Sequence, residues 1–83
     1  MPYVVLLKKS TEKDLDRLPA KIHDRIVEHL ISLRENPRPV GTKKLREREG
    51  YRMRVGDYRI LYTIDDAKKE VEVFSVAHRR EVY

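Results

Sequence analysis

Apolar residues recur along this chain with two different periods, and the changes of period divide it into elements. Tyr3-Val4-Val5-Leu6-Leu7 is an unbroken apolar run rich in strand formers and stopped by Lys8-Lys9. It predicts a short strand buried on both faces. From Ser10 the period lengthens. Ser10-Thr11 ahead of Glu12-Lys13-Asp14 supply a hydroxyl N-cap and acids for a first helical turn, and Leu15 and Leu18 give this helix a narrow apolar stripe to its end near Leu18. Pro19 belongs in the first turn of a second helix, where its missing N–H has no partner to lose. There Ile22, Ile26, Leu30 and Leu33 recur at i, i+4, i+8 and i+11, with Val27 and Ile31 widening the stripe. The helix ends near Asn36, because Pro37 and Pro39 cannot continue it.

After a polar connection, Gly41 to Lys44, and a charged loop, Arg46 to Gly50, the period drops to two. The alternating runs Tyr51–Val55 and Tyr58–Tyr62 meet at Gly56-Asp57, which supplies the positive φ of a two-residue hairpin turn. Pairing Val55 with Tyr58 sets Arg54 opposite Arg59, Met53 opposite Ile60, Arg52 opposite Leu61 and Tyr51 opposite Tyr62. One face then carries Tyr51, Met53, Val55, Tyr58, Ile60 and Tyr62, and the other Arg52, Arg54 and Arg59. The three tyrosines could stack on bases, but their shared apolar face makes core packing the stronger reading. A polar turn at 65–69 leads into Glu70–Ala77, a valine-rich third strand of the meander. It runs back antiparallel to 58–64, so His78 and Arg79 approach Arg59, with the register and the face of His78 left open. The order is β-α-α-β-β-β. It predicts an α+β domain, an antiparallel sheet with an N-terminal helical hairpin packed on its apolar face. The arginines and the tail from His78 would stand on the open face.

With 83 residues there is room for one small domain with one modest core. The chain has no cysteine, which excludes disulfides and thiolate metal sites and suits a reducing cytoplasm. Its first apolar run is too short for a signal peptide or a membrane span, so a cytoplasmic location is expected. Charged residues make up 40% of the chain, with a formal net charge of +5. The basic excess is spread over both halves, so any basic patch must be made by folding. Such a balance favours polyanionic partners.

Like charges directly opposite each other destabilise a sheet. Arg52, Arg54 and Arg59 on one small face therefore suggest an anion seated among them, for which the guanidinium fork is suited when the anion is phosphate. The competing reading is a solvated face with the arginines splayed toward nearby carboxylates. The loop Arg46-Glu47-Arg48-Glu49 reads as mutually compensating charge. His23 and His29 lack metal-ligand spacing, and neither a nucleophile motif nor a phosphate-binding glycine loop is present.

The element order, the hairpin Tyr51–Tyr62 and the ending Phe74-Ser75-Val76-Ala77-His78-Arg79-Arg80-Glu81-Val82-Tyr83 together resemble the RelE family of toxins, within the RelE/ParE superfamily. The likeness covers essentially the whole chain, and the ending looks specifically like the RelE branch. It implies the toxin of a type II toxin–antitoxin pair, a ribosome-dependent endoribonuclease that cuts messenger RNA in the A site. The RNA's own 2′-hydroxyl would attack the adjacent phosphate, with neither metal nor small-molecule cofactor. By position, Arg52, Arg54, Arg59, Arg79 and Tyr83 match the family's site, and Arg80 joins the candidate phosphate contacts. Some relatives have lysines at the first two positions. Arginine holds a phosphate but is a poor proton shuttle, so His78 and Tyr83 are the candidate proton-transfer or base-positioning groups, with Arg54, Arg59 and Arg79 as clamps. The implied partners are an acidic-rich, RelB-like antitoxin and the ribosome. Two other readings stay open: a ParE-like, non-catalytic poison of DNA gyrase, and an RNA-binding relic that does not cut.

Overall fold

A computed structural model of the chain describes residues 2–78 and Arg80. The elements are β1 (Val4–Leu7), α1 (Lys9–Asp16), α2 (Ala20–Ser32), β2 (Lys43–Lys44), β3 (Tyr51–Val55), β4 (Tyr58–Asp65) and β5 (Glu70–His78). All five strands form one sheet in the order β1-β5-β4-β3-β2. The α+β class and the helical pair on one sheet face are as the periodicity predicts. Leu15, Ile26, Leu30 and Leu33 of the helical half meet Met53, Val55, Ile60, Tyr62, Val71, Val73 and Val76 of the sheet in one core. Burying each such side chain stabilises by about 1.5–3 kcal/mol before conformational entropy is counted.

The hairpin register is the expected one, from Val55 opposite Tyr58 through Tyr51 opposite Tyr62. Gly56 carries the turn at φ 59°, a conformation an L side chain rarely adopts. The sheet is mixed, because β1 runs parallel to β5 from Val4 beside Glu70 to Leu7 beside Val73. That pairing makes β1 an edge strand, and the helices cover only one of its faces. Val5 and Leu7 pack on the core while Val4 is 55% and Leu6 41% exposed, so the expectation of a strand buried on both faces is corrected.

Both helices differ from the expected boundaries. α1 starts at Lys9 with Lys8 as N-cap, so Ser10 and Thr11 lie within its first turn. The Thr11 hydroxyl, instead of capping, donates to the Val73 carbonyl at 3.1 Å in a buried position and pins α1 to β5. Pro19 is the N-cap of α2, which ends at Ser32, and Ile31 is 57% exposed rather than part of the buried stripe.

In β5 the pairing slips. Leu61 lies opposite Ser75 but Tyr62 lies opposite Val73, which leaves Phe74 as the extra residue of a β-bulge. Val71, Val73 and Val76 are all buried, although Val73 and Val76 are three apart. The bulge thus reverses the inward–outward sense of the β5 residues beyond it, as far as His78.

Candidate functional site

On the sheet face away from the helices, Arg54 stands opposite Arg59, and Arg52 stands between Lys43 of β2 and Leu61 of β4. Lys43, Arg52, Arg54 and Arg59 line a shallow depression of about 160 Å³, with Gly41 and Met53 completing its wall. Arg54 is exposed, and Arg52 and Arg59 are half-buried. Among the described residues neither Arg52 nor Arg54 has a carboxylate at ion-pairing distance. For Arg52 and Arg54 this disfavours the picture of side chains splayed toward Glu or Asp. Lys43 was not legible as part of the patch, because two residues of strand give no periodicity.

A second network holds Lys43 in place. The Tyr62 hydroxyl donates to the Pro37 carbonyl at 2.8 Å and lies 3.3 Å from the Thr42 hydroxyl. Burial pushes the Tyr62 phenol above its ordinary titration range, so it stays a donor. Arg38 reaches both oxygens of Asp66 at 2.8 and 3.3 Å, and its Nε donates to the Tyr51 hydroxyl at 3.4 Å. The Tyr3 hydroxyl donates to the same carboxylate at 2.6 Å. These bonds draw the Asp66 carboxyl down to about 2, with the Arg38 hydrogen bonds as the largest cause. The segment from Pro37 to Thr42 is thereby tied to β3, β4 and the turn after it, and it delivers Lys43 beside Arg52.

His78 is level with Arg59, as the strand order requires, but on the other side of the sheet. It pairs with Tyr58, a core-face residue, while Ala77 pairs with Arg59. The expectation that the chain from His78 onward stands on the open face is corrected at this residue, and the cause is the bulge at Phe74. The His78 ring packs edge-on against Tyr58 with centroids 5.3 Å apart. Its Nδ1 accepts the Arg80 backbone N–H at 3.3 Å. An accepting Nδ1 requires a neutral ring with its proton on Nε2. Arg80 itself is exposed. Arg79 and Tyr83 lie outside the described residues.

The charged loop is also arranged differently from expectation. No ion pair joins Arg46, Glu47, Arg48 and Glu49. The Arg48 guanidinium carbon instead lies 4.0 Å from the centroid of the Phe74 ring.

A family model described as the ParE toxin of the type II toxin–antitoxin system parDE matches residues 5–83. Two curated proteins of Mycobacterium tuberculosis, Toxin RelE and Toxin RelG, are each 38% identical to this chain. The alignments cover 99% and 100% of this chain, and 87% and 98% of theirs. The toxin in the crystal structure of the RelBE2 toxin–antitoxin complex from the same organism superposes with a TM-score of 0.82 at 36% identity, over 95% of this chain and 100% of that one. The chain belongs to the RelE family of toxins of type II toxin–antitoxin systems, within the RelE/ParE superfamily.

Proposed function

We propose that this toxin is a ribosome-dependent endoribonuclease that cleaves messenger RNA in the A site. The observation that carries this reading is the depression formed by Lys43, Arg52, Arg54 and Arg59, a cationic concavity set on rigid strands. Four cations converging there would hold a phosphodiester and stabilise the charge that grows on it as the 2′-oxygen attacks. The attack forms a bond from the 2′-oxygen to phosphorus and breaks the bond to the 5′-oxygen, leaving a cyclic phosphate and a 5′-hydroxyl. Arg54, Arg59 and Arg79 act as clamps in this scheme, Arg52 and Arg80 as flanking contacts, and His78 and Tyr83 supply or position the proton-transfer groups. The bond from the Arg80 N–H to His78 Nδ1 anchors the start of the tail. The ribosome would supply substrate geometry that so small a site does not impose alone.

An antitoxin partner follows from the RelBE2 complex of the relative. The surface best suited to it is the apolar groove of about 410 Å³ beside edge strand β1, lined by Val4, Val5, Leu7, Val27 and Ile31 among others. Among the described residues no helix is long and apolar enough to cross a membrane. A cytoplasmic location is part of the proposal because the ribosomal substrate is there.

The test is primer extension on messenger RNA held in programmed ribosomes, comparing the wild-type toxin with Arg59→Ala, His78→Ala and His78→Gln. Cleavage within the A-site codon that disappears in Arg59→Ala supports the reading. Glutamine keeps an acceptor for the Arg80 N–H but cannot pass a proton. A His78→Gln enzyme near the wild-type rate assigns His78 to positioning, and one as slow as His78→Ala assigns it to proton transfer. Folded wild-type toxin that leaves every A-site codon intact, yet inhibits supercoiling by DNA gyrase, would sink the ribonuclease reading in favour of the non-catalytic gyrase poison.

A further inference from the structure

The open face has a second zone beside the phosphate cleft. At the bulge, Phe74 and Ser75 together oppose Leu61, so the extra residue turns toward the face that carries Arg52 and Arg59. Phe74 is thus an aromatic ring on a face from which Tyr51, Tyr58 and Tyr62 are turned away toward the core. The ring lies low. A Cβ on Gly50 would stand 3.6 Å from the Phe74 ring, 3.1 Å from the Leu45 side chain and 3.0 Å from the Tyr62 carbonyl. Glycine at this position, with φ +140°, lets Leu45 and Phe74 close over the strand. Over the ring lies the Arg48 guanidinium, at 4.0 Å. Arg48 has glutamates on both sides in sequence and pairs with neither. It is exposed.

We infer that the Arg48–Phe74 stack is a platform for one nucleobase of the RNA whose phosphate occupies the adjacent arginine cleft. This rests on the proposed RNA substrate and names a part of it that the cleft does not touch. The two zones adjoin, since Leu61 is the cross-strand neighbour of Arg52 on one side and of the bulge on the other. A planar guanidinium already seated on an aromatic face offers its outer face to a base, and both surfaces stack on any base without reading its edge. The platform therefore gives affinity and fixes the direction in which the strand leaves the cleft, with little preference among bases. An apolar cap alone would need no planar cation and would be indifferent to bases.

The experiment measures binding of a fluorescent, 2′-O-methylated single-stranded RNA of about six nucleotides, and of an abasic chain of the same length, to the purified toxin by anisotropy. The wild type is compared with Arg48→Ala, Arg48→Lys, Phe74→Leu and Arg54→Ala. Stacking on one base is worth roughly 5- to 160-fold in affinity. The wild type should therefore prefer the base-bearing RNA by a factor in that range. That preference should fall toward one in Arg48→Ala and Phe74→Leu and weaken in Arg48→Lys, which keeps the charge but loses the plane. Arg54→Ala should weaken both ligands alike. Arg48 is on an exposed loop, so its variants keep the readout valid even if Phe74→Leu folds poorly. A wild type that does not distinguish the two ligands, that binds neither, or whose preference survives loss of Arg48 overturns the platform. The A-site cleavage assay is separate from this one, so ribonuclease activity can fail while the base preference holds, and the reverse.

Discussion

Arg54→Gln should make the free toxin more stable while making it a worse RNA binder. Arg54 faces Arg59 directly across the hairpin and shares its depression with Lys43 and Arg52. Like charges directly opposite on a sheet cost about 0.2–1 kcal/mol. Coulomb's law agrees: two guanidinium groups about 6 Å apart in a water-like dielectric repel by about 0.7 kcal/mol. Glutamine keeps much of the side-chain stem and removes the charge. In a domain of this size that gain corresponds to a rise in Tm of about 3–6 °C. Repulsion has a signature that packing lacks, namely its dependence on salt. The Debye length falls from about 30 Å at 0.01 M to about 3 Å at 1 M, so the advantage should be full at low ionic strength and nearly gone at ~1 M. Thermal melts of both proteins across that range are the assay. Titration of single-stranded RNA should show Arg54→Gln with a shallower dependence of log K on log salt, by about 0.7 for one lost phosphate contact. An Arg54→Gln variant that is less stable at low salt, or whose gain persists undiminished at high salt, would refute the claim that the patch is held against its own repulsion.

Further outcomes follow from the scaffold. Tyr62→Phe removes a buried hydroxyl from the Pro37 carbonyl and should destabilise by about 1–3 kcal/mol, read as a lower urea midpoint at unchanged m. Asp66 has a folded-state carboxyl held near 2 against an ordinary value of 3.8, so its contribution to stability is present above about 4 and is lost as the pH falls toward 2. Asp66→Asn should therefore flatten the acid limb of a Tm-versus-pH curve in that window and lower Tm at neutral pH. Gly50→Ala forces a side chain into φ +140° within 3.0 Å of the Tyr62 carbonyl, and a loss of about 1–3 kcal/mol in chemical denaturation is expected.

The hairpin was legible to the residue because period, turn and charge all agreed. Alternation set which side chains share a face, Gly56-Asp57 set the turn, and the register then followed without freedom. The edge position of β1 was not legible, because an unbroken apolar run reads the same whether a strand is central or packed on one side only. Lys43 was invisible for a different reason. Its strand is two residues long and exists because the Pro37 to Thr42 segment is tied down by Tyr62, Arg38 and Asp66. Those partners are 20 to 28 residues away, and no local pattern carries such information.

The least legible feature was the one with most consequence for the site. A strict period of two from Val71 and Val73 puts Ser75 and Ala77 in the core and His78 on the open face. The polar residue at the third inward position was the available signal, since a bulge lets Val76 take the inward place that Ser75 would fill poorly. Phe74 masked it by being apolar in the outward position. With the bulge, one inserted residue makes two exchanges at once. His78 leaves the open face for the flank of Tyr58, where it holds the start of the tail, and Phe74 joins the open face beneath Arg48. The chemistry of the open face is consequently more cationic and more aromatic than alternation implies, and less suited to moving protons by itself. That division fits the proposed scheme, in which the strands grip and orient RNA and His78, at the end of β5, holds the start of the tail.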